Sequence, residues 1–168
     1  HALGQTPRFG VRLIKGSHIV VPKLYDGSHA YIFQNDDGRV VFACAFENGY
    51  TLLGTTDVAL ERMPLRCEAS VDEVEYLCRA VKGYFSREIA PSDVLWSYCG
   101  VRPLFDDGST DPSKITREHE LILDGGTGQA PLLSLVGGKI TVFRRVAEKA
   151  LAALGPWLDR KSTRLNSS

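Results

Sequence analysis

A cation inside an apolar run is the first feature of the sequence with the chemistry of a binding site. Arg102 lies in Val101-Arg-Pro-Leu104, where the following proline keeps the backbone extended. The guanidinium needs an anionic partner, because an unpaired buried charge is strongly unfavourable. A phosphate group fits the bidentate geometry of arginine, and an internal ion pair with an Asp or Glu fits the same pattern.

A second candidate is the junction Leu135-Val-Gly-Gly-Lys-Ile-Thr141, where an apolar strand ends and a helix begins. The first amides of a helix lack intrahelical partners and carry partial positive charge, which suits an anion or an electron-rich carbonyl. Lys139 adds a cation and Thr141 a hydroxyl at the same end. The alternative is a plain strand–turn–helix, in which Gly137 and Gly138 only ease the turn.

Three weaker candidates lie elsewhere in the chain. His18, in Lys15-Gly-Ser-His18, could accept a proton from a hydroxyl substrate or donate a hydrogen bond to it, or could be a core or edge histidine. Arg117 follows the polar loop Asp106–Pro112, and by itself it is typical of a solvated surface charge. Thr56, in Gly54-Thr-Thr-Asp57, belongs to a group of hydroxyls and a carboxylate that a locally capped turn explains equally well.

Composition excludes several classes of function. The 20 Lys and Arg balance the 20 Asp and Glu, so the net charge indicates no nucleic-acid partner. No run of apolar residues is long enough to span a bilayer, and no GxGxxG or P-loop pattern is present. The four cysteines form no CxxC pair, which indicates no metal site and predicts four buried, reduced thiols.

The elements that must position these residues follow from hydrophobic periodicity. We predict strands at Val11–Pro22, Tyr31–Phe33, Val40–Ala43, Tyr50–Gly54, Val94–Leu104, Leu121–Leu123 and Leu132–Val136, with a hairpin turn at Asn35-Asp-Asp-Gly38. A capping box at Ser70-Val-Asp-Glu73 begins an amphipathic helix that should end near Ser86.

A closing helix is predicted from Ile140 to Leu154, ending at Gly155-Pro156, with Val142, Val146, Ala150, Leu151 and Leu154 facing inward. These elements describe an α+β fold: an antiparallel sheet with a covering helix and a closing strand–turn–helix. The structured part should be residues 1–158. Residues 159–168 lack apolar periodicity and resemble a translated sequencing-library adapter, so we expect a non-native tail; a natural polar tail is the alternative.

Taken together, the motifs resemble those of FAD-dependent respiratory (aerobic) glycerol-3-phosphate dehydrogenases in order and spacing. The motifs are Ile14-Lys-Gly-Ser-His-Ile-Val-Val-Pro22, Gly54-Thr-Thr-Asp57, Trp96-Ser-Tyr-Cys-Gly-Val-Arg-Pro-Leu104, Ile115-Thr-Arg117 and Leu135-Val-Gly-Gly-Lys-Ile-Thr141. The resemblance extends from about Phe9 to Leu154. It implies the substrate domain of a two-domain, D-amino-acid-oxidase-like FAD oxidoreductase.

The resemblance also implies a reaction of glycerol metabolism. These flavoproteins oxidise sn-glycerol 3-phosphate to dihydroxyacetone phosphate by hydride transfer from C2 to flavin N5, and the electrons pass to a quinone. The complete enzymes are peripheral membrane proteins, which implies a cytoplasmic location on the inner face of the inner membrane.

Roles for individual residues follow from the same resemblance. Arg102 and Arg117 would bind the substrate phosphate, Lys139 would lie near substrate and flavin, and His18 and Thr56 would line the site. Lys139, His18 and Arg102 are thus the catalytic candidates. The cofactor-binding candidates are Gly137, Gly138, Lys139, Ile140 and Thr141, with backbone amides facing the carbonyl edge of the flavin.

The chain departs from the family in ways that limit it. The N-terminal glycine-rich βαβ segment that holds FAD and the C-terminal helical domain are absent, so we expect the 168-residue chain alone neither to hold FAD tightly nor to turn over. Cys99 replaces a usual Ser, and Phe143 a common Tyr. Two alternatives stay open: part of a related FAD-dependent amine or hydroxyacid oxidase with a carboxylate substrate, and a non-catalytic phosphate-binding module.

Overall fold

The computed structural model describes residues 9–106, 108, 115–125 and 130–158. These residues form two compact units. The first unit contains residues 12–102, and the second contains the described residues of 9–11, 103–109 and 115–158. The predicted tail at 159–168, and parts of the predicted Asp106–Pro112 loop and Gly125–Gly128 turn, lie outside the described residues.

The order of elements is strands, one helix, more strands and a closing helix, as predicted. The elements are β1 (Val11–Pro22), β2 (Ala30–Gln34), β3 (Val40–Phe46), β4 (Tyr50–Gly54), β5 (Val58–Leu60), α1 (Val71–Ala80), β6 (Trp96–Phe105), β7 (His119–Asp124), β8 (Leu132–Gly137) and α2 (Phe143–Leu158), with 3-10 turns at Pro91–Asp93 and Ile140–Val142. The sequence did not predict β5, because three residues are too few to establish a period of two.

The first unit is built on a six-stranded sheet in the order β2-β3-β4-β1-β5, with β6 also paired to β1. The pairs β1–β4, β1–β5, β2–β3 and β3–β4 are antiparallel, so the predicted α+β class is confirmed. The predicted hairpin joins β2 to β3: Gly38 donates its amide to the carbonyl of Asn35 at 2.9 Å, with a φ of 80° that favours glycine.

Helix α1 covers one face of this sheet and forms the core with it. The sheet contributes Ile19, Val21, Val41, Ala43 and Leu53, and the helix side contributes Leu77, Cys78, Ala80 and Val81. The predicted capping box is present at the start of α1. The helix ends at Ala80 rather than near Ser86, because Gly83 has a φ of 83° that an α-helix cannot continue through.

The opposite side of the sheet, away from α1, is called the outer face here. A row of register partners crosses it: Ile32 pairs with Phe42, Phe42 with Gly54, and Gly54 with His18. Partners directly across an antiparallel sheet share one face. The outer face therefore carries His18, whereas Ser17 and Ile19 point toward α1.

The second unit contains the β7–β8 hairpin and α2. In the hairpin, His119 is the register partner of Gly137. The inward-facing prediction for α2 is wrong in part: the helix has no buried residue within the described chain, and Leu151 is 63% exposed. Among the described residues of this unit, the sheet consists of the two strands β7 and β8, a small surface for a 16-residue helix. The helix also continues past the predicted end, through Pro156, to Leu158.

The expectation of four reduced thiols is wrong for two of them. Cys67 and Cys99 form a disulfide that joins the loop before α1 to β6, while Cys44 and Cys78 are free. The pair is separated by 32 residues, so local spacing could not predict it. Burial raises the pKa of the Cys78 thiol, with a smaller contribution from Asp93.

Neither helix in the described part of the chain is long and apolar enough to cross a membrane.

Candidate functional site

The guanidinium of Arg102 lies against strand β1 at Gly16. A β-carbon at position 16 would lie 2.5 Å from Nη2 of Arg102 and 2.6 Å from Oγ1 of Thr55. Real β-carbons do not approach other heavy atoms this closely, so only glycine leaves room for the guanidinium. Gly16 and His18 are two residues apart on β1 and therefore share the outer face.

Arg102 is held in this position by the turn that follows β4. Its Nη1 donates to Oδ1 of Asp57 at 3.2 Å, and its Nη2 donates to Oγ1 of Thr55 at 3.1 Å. The side chains of Arg102 and Asp57 are 30% and 11% exposed. The internal ion pair considered from the sequence is therefore present, and the cation remains the more solvent-accessible partner.

The imidazole of His18 is fixed on the outer face by a glycine and an aromatic ring. A β-carbon at position 54 would lie 2.7 Å from Cγ of His18, so Gly54 makes room for the ring. Tyr98 of β6 stacks on the imidazole, with ring centroids 4.9 Å apart and an interplanar angle of 4°. Within the described residues, Nδ1 of His18 is buried without a hydrogen-bond partner.

Electrostatics favour the neutral form of this imidazole. Burial lowers the pKa of His18, and the nearby positive charge of Arg102 lowers the pKa further. The lowered pKa favours the neutral ring, and a neutral imidazole can accept a proton.

Thr56 occupies a different position from the one expected of a residue lining the site. It is fully buried, its hydroxyl donates to Oε1 of Glu73 at 2.7 Å, and its Oγ1 accepts from the amide of Ser17 at 2.9 Å. Its side chain therefore supports the turn from the α1 side of the sheet.

Glu73 is a buried carboxylate that the sequence identified only as a capping residue. Beyond the capping box, it pairs with Nζ of Lys15 at 2.7 Å and accepts from Oγ of Ser17 at 2.8 Å. Burial raises the pKa of Glu73, but Lys15, the Ser70 amide, Thr56 and Ser17 more than offset this effect and leave the pKa at about 2. A signal was present in β1, where the polar Lys15 and Ser17 alternate on the core-facing side.

In the second unit, the predicted strand–turn–helix is present. Gly137 and Gly138 have φ values of 71° and 90°, which side chains rarely adopt. Lys139 is the exposed N-cap of the 3-10 turn Ile140–Val142, which leads directly into α2. No side chain caps this start, and neither the 3-10 turn nor the first turn of α2 contains an acidic residue. Ile140 and Thr141 are both exposed.

Arg117 lies in the same unit, half-buried in the loop before β7. The buried Ile115 anchors the start of this segment. The first unit thus brings Arg102 and His18 together on one sheet face, and the second contains Arg117 and the glycine-rich helix start.

Comparisons with known proteins identify the family of the chain. The model of the FAD dependent oxidoreductase family matches residues 1–144. A glycerol-3-phosphate dehydrogenase of Pseudomonas aeruginosa is 48% identical over 155 residues, which cover 92% of this chain and 30% of that protein. A D-erythritol 1-phosphate dehydrogenase of Brucella abortus is 49% identical over 144 residues, covering 86% of this chain and 28% of that protein.

A solved structure has the same fold. The FAD complex of the glycerol-3-phosphate dehydrogenase from Bacillus halodurans superposes with a TM-score of 0.64 at 28% identity. The match covers 89% of this chain and 27% of that one. The chain therefore spans about 30% of the length of the curated relatives that it matches.

Proposed function

From the premise that the chain belongs to the FAD dependent oxidoreductase family, we propose that it is the substrate-facing part of a longer glycerol-3-phosphate dehydrogenase. In this proposal the complete protein oxidises sn-glycerol 3-phosphate to dihydroxyacetone phosphate. The P. aeruginosa relative supports the assignment, because nearly all of this chain matches it at 48% identity.

One observation of the structure carries the proposal: a partly exposed arginine and a half-buried histidine share one sheet face, each with a glycine making room for it. The reaction needs a fixed cation for the phosphate, because anchoring the phosphate positions the reacting carbon. Arg102 provides that cation, since the planar guanidinium matches phosphate geometry.

The reaction also releases the proton of the substrate hydroxyl. His18 accepts it, because burial and Arg102 keep its imidazole neutral and the stacked Tyr98 fixes its plane. When bound, FAD supplies the acceptor for the two electrons removed from the substrate carbon.

The start of α2 fits the carbonyl edge of a flavin. The first amides of a helix have no carbonyl partner within it and carry partial positive charge. Here no side-chain cap and no acidic residue of the first turn neutralises that charge. Gly137, Gly138, Lys139, Ile140 and Thr141 would hold this edge through their backbone amides, and the exposed ammonium of Lys139 would add positive charge.

Arg117 serves as a second phosphate contact in this proposal, and Lys139 contributes to substrate binding. The support for both roles is the match of their motifs to the family, together with their partial or full exposure. Thr56 acts by supporting the turn rather than by touching the substrate, because it is fully buried.

The proposal also includes the final electron acceptor and the cellular location of the whole protein. A quinone receives the electrons, and the complete protein is cytoplasmic and peripheral on the inner membrane. Both assignments follow from the resemblance of the motifs to the respiratory enzymes.

A second substrate has specific support. The relative from B. abortus is named for D-erythritol 1-phosphate and is 49% identical to this chain. This substrate also carries a phosphate, so the role of Arg102 is common to both candidates.

The test is the activity of the complete protein with FAD and an artificial electron acceptor. We expect kcat/KM for sn-glycerol 3-phosphate to exceed that for D-erythritol 1-phosphate, with no turnover of glycine. A preference for the tetritol phosphate would reassign the substrate, and turnover of glycine would indicate an amine oxidase. Reduction of a quinone analogue in place of the artificial acceptor checks the final acceptor.

A further inference from the structure

We propose that Glu73 is a positioning residue for the phosphate anchor, acting through Thr56 on the turn that holds Arg102. The inference rests on the proposed function for the identity of the substrate. Glu73 itself lies in the core, on the α1 side of the sheet, and is only 5% exposed.

The carboxylate of Glu73 connects three separate elements. Its Oε2 accepts from the backbone amide and hydroxyl of Ser70 at 2.9 and 3.0 Å, which ties it to the start of α1. The same oxygen pairs with Lys15 of β1 at 2.7 Å. Its Oε1 accepts from the hydroxyls of Ser17 and Thr56 at 2.8 and 2.7 Å.

Thr56 transmits this restraint to the turn after β4. Its hydroxyl is fixed between Glu73 and the amide of Ser17, and its own amide donates to the carbonyl of Ser17 at 3.3 Å. The neighbours of Thr56 on either side, Thr55 and Asp57, are the residues that bind the guanidinium of Arg102. The turn that contacts Arg102 is therefore itself fixed at its central residue, Thr56, from the α1 side of the sheet.

The geometry separates two sides of β1. Lys15 and Ser17 point to Glu73, whereas Gly16 and His18 point to the outer face. Fixing Lys15 and Ser17 also fixes the direction in which Gly16 and His18 face, because the four residues are consecutive in one strand and successive side chains point to opposite faces. Glu73 thus orders two of the three catalytic candidates, Arg102 and His18, without touching a ligand.

Paired substitutions in the complete protein test this inference. Thr56→Val removes the hydroxyl but keeps the shape, and Thr56→Ser restores the hydroxyl. Thr51→Val is the matched control, because Thr51 is also fully buried and its Oγ1 likewise accepts a backbone amide, from Leu24 at 3.1 Å. Glu73→Gln is compared with Glu75→Gln, since Glu75 lies on the same helix in an exposed pair with Arg79.

We measure KM and kcat with sn-glycerol 3-phosphate, and the competitive inhibition constant of inorganic phosphate. Thr56→Val and Glu73→Gln should raise KM and the phosphate constant together by about tenfold, with a smaller change in kcat. Thr56→Ser should lie within about twofold of the wild type. Thr51→Val and Glu75→Gln should leave both constants unchanged at a temperature where all variants are folded.

A purely structural role gives a different result. Equal inhibition constants of inorganic phosphate in Thr56→Val and Thr51→Val would overturn the proposal. An unchanged KM and an unchanged inhibition constant in Glu73→Gln would also overturn it. If Thr56→Val yields no folded protein, the comparison of Glu73→Gln with Glu75→Gln decides.

Failure of the proposed function is recognised separately. In that case the wild type does not oxidise glycerol 3-phosphate, and calorimetric titration with inorganic phosphate replaces the kinetic constants. Weaker phosphate binding in Thr56→Val than in Thr51→Val would then still support the positioning role, and equal binding would refute it.

Discussion

The guanidinium of Arg102 occupies the space that a side chain at Gly16 would need. Any β-carbon at position 16 would collide with Nη2 of Arg102 and with Oγ1 of Thr55. Gly54 has the same relationship to the ring of His18. Strands β1 and β4 thus each have a glycine where a candidate site residue, Arg102 or His18, packs against the outer face.

The first prediction concerns Gly16. Gly16→Ala should displace the guanidinium and raise KM for glycerol 3-phosphate by about tenfold or more, because small shifts of an anchoring group strongly reduce productive binding. Steady-state kinetics of the complete protein measure this effect. Gly100→Ala in β6 is the control, since a β-carbon there meets no atom within 4 Å, and it should leave KM unchanged.

The second prediction concerns Arg102 itself. Arg102→Ala removes the proposed phosphate anchor and should raise KM by well over tenfold, about 2 kcal/mol or more. An unchanged KM would refute the phosphate role. Arg39→Ala is a matched control, because Arg39 is also paired with an aspartate, Asp37, and lies over the ring of Tyr76. That variant should retain the wild-type KM.

Local patterns were sufficient to predict most of the elements of this fold. The bounds of β1 and β4 coincide with the predictions, because short apolar runs bounded by turn residues are a local signal. The capping box of Ser70 and Glu73 was predicted for the same reason, since both partners lie within one helical turn.

Relationships between distant residues were not predictable from these patterns. Cys67 and Cys99 are 32 residues apart, and the bond between Thr56 and Glu73 depends on how α1 packs on the sheet. The sequence left the partner of Arg102 open between a phosphate and an acidic residue, and the structure identifies Asp57 as one partner. Such pairings depend on tertiary packing, which sequence spacing does not encode.

The third prediction is a pH dependence. Burial first, and Arg102 second, lower the pKa of His18. Arg102→Gln removes the positive charge and should raise that pKa, so the imidazole becomes protonated at a higher pH as the solution is acidified. The acid limb of the kcat profile, measured at saturating substrate, should therefore move to higher pH. A limb that stays in place or moves to lower pH would exclude His18 as the proton acceptor, and Arg39→Gln should not move it.

The last prediction is the acid sensitivity of folding that Glu73 confers. Its pKa is lowered from an ordinary 4.5 to about 2, so its stabilising effect is fully present above pH 4.5 and is lost as the pH falls toward 2. A shift of this size corresponds to about 3 kcal/mol at 1.36 kcal/mol per unit. Glu73→Gln cannot ionise, and it should therefore lower the free energy of unfolding at pH 7 and have less effect at pH 3. Denaturant unfolding of the complete protein at both pH values measures this difference. Glu75→Gln, in its exposed pair, should change the free energy of unfolding little at either pH. If wild type and Glu73→Gln differ in the free energy of unfolding by the same amount at both pH values, Glu73 stabilises the fold without its charge.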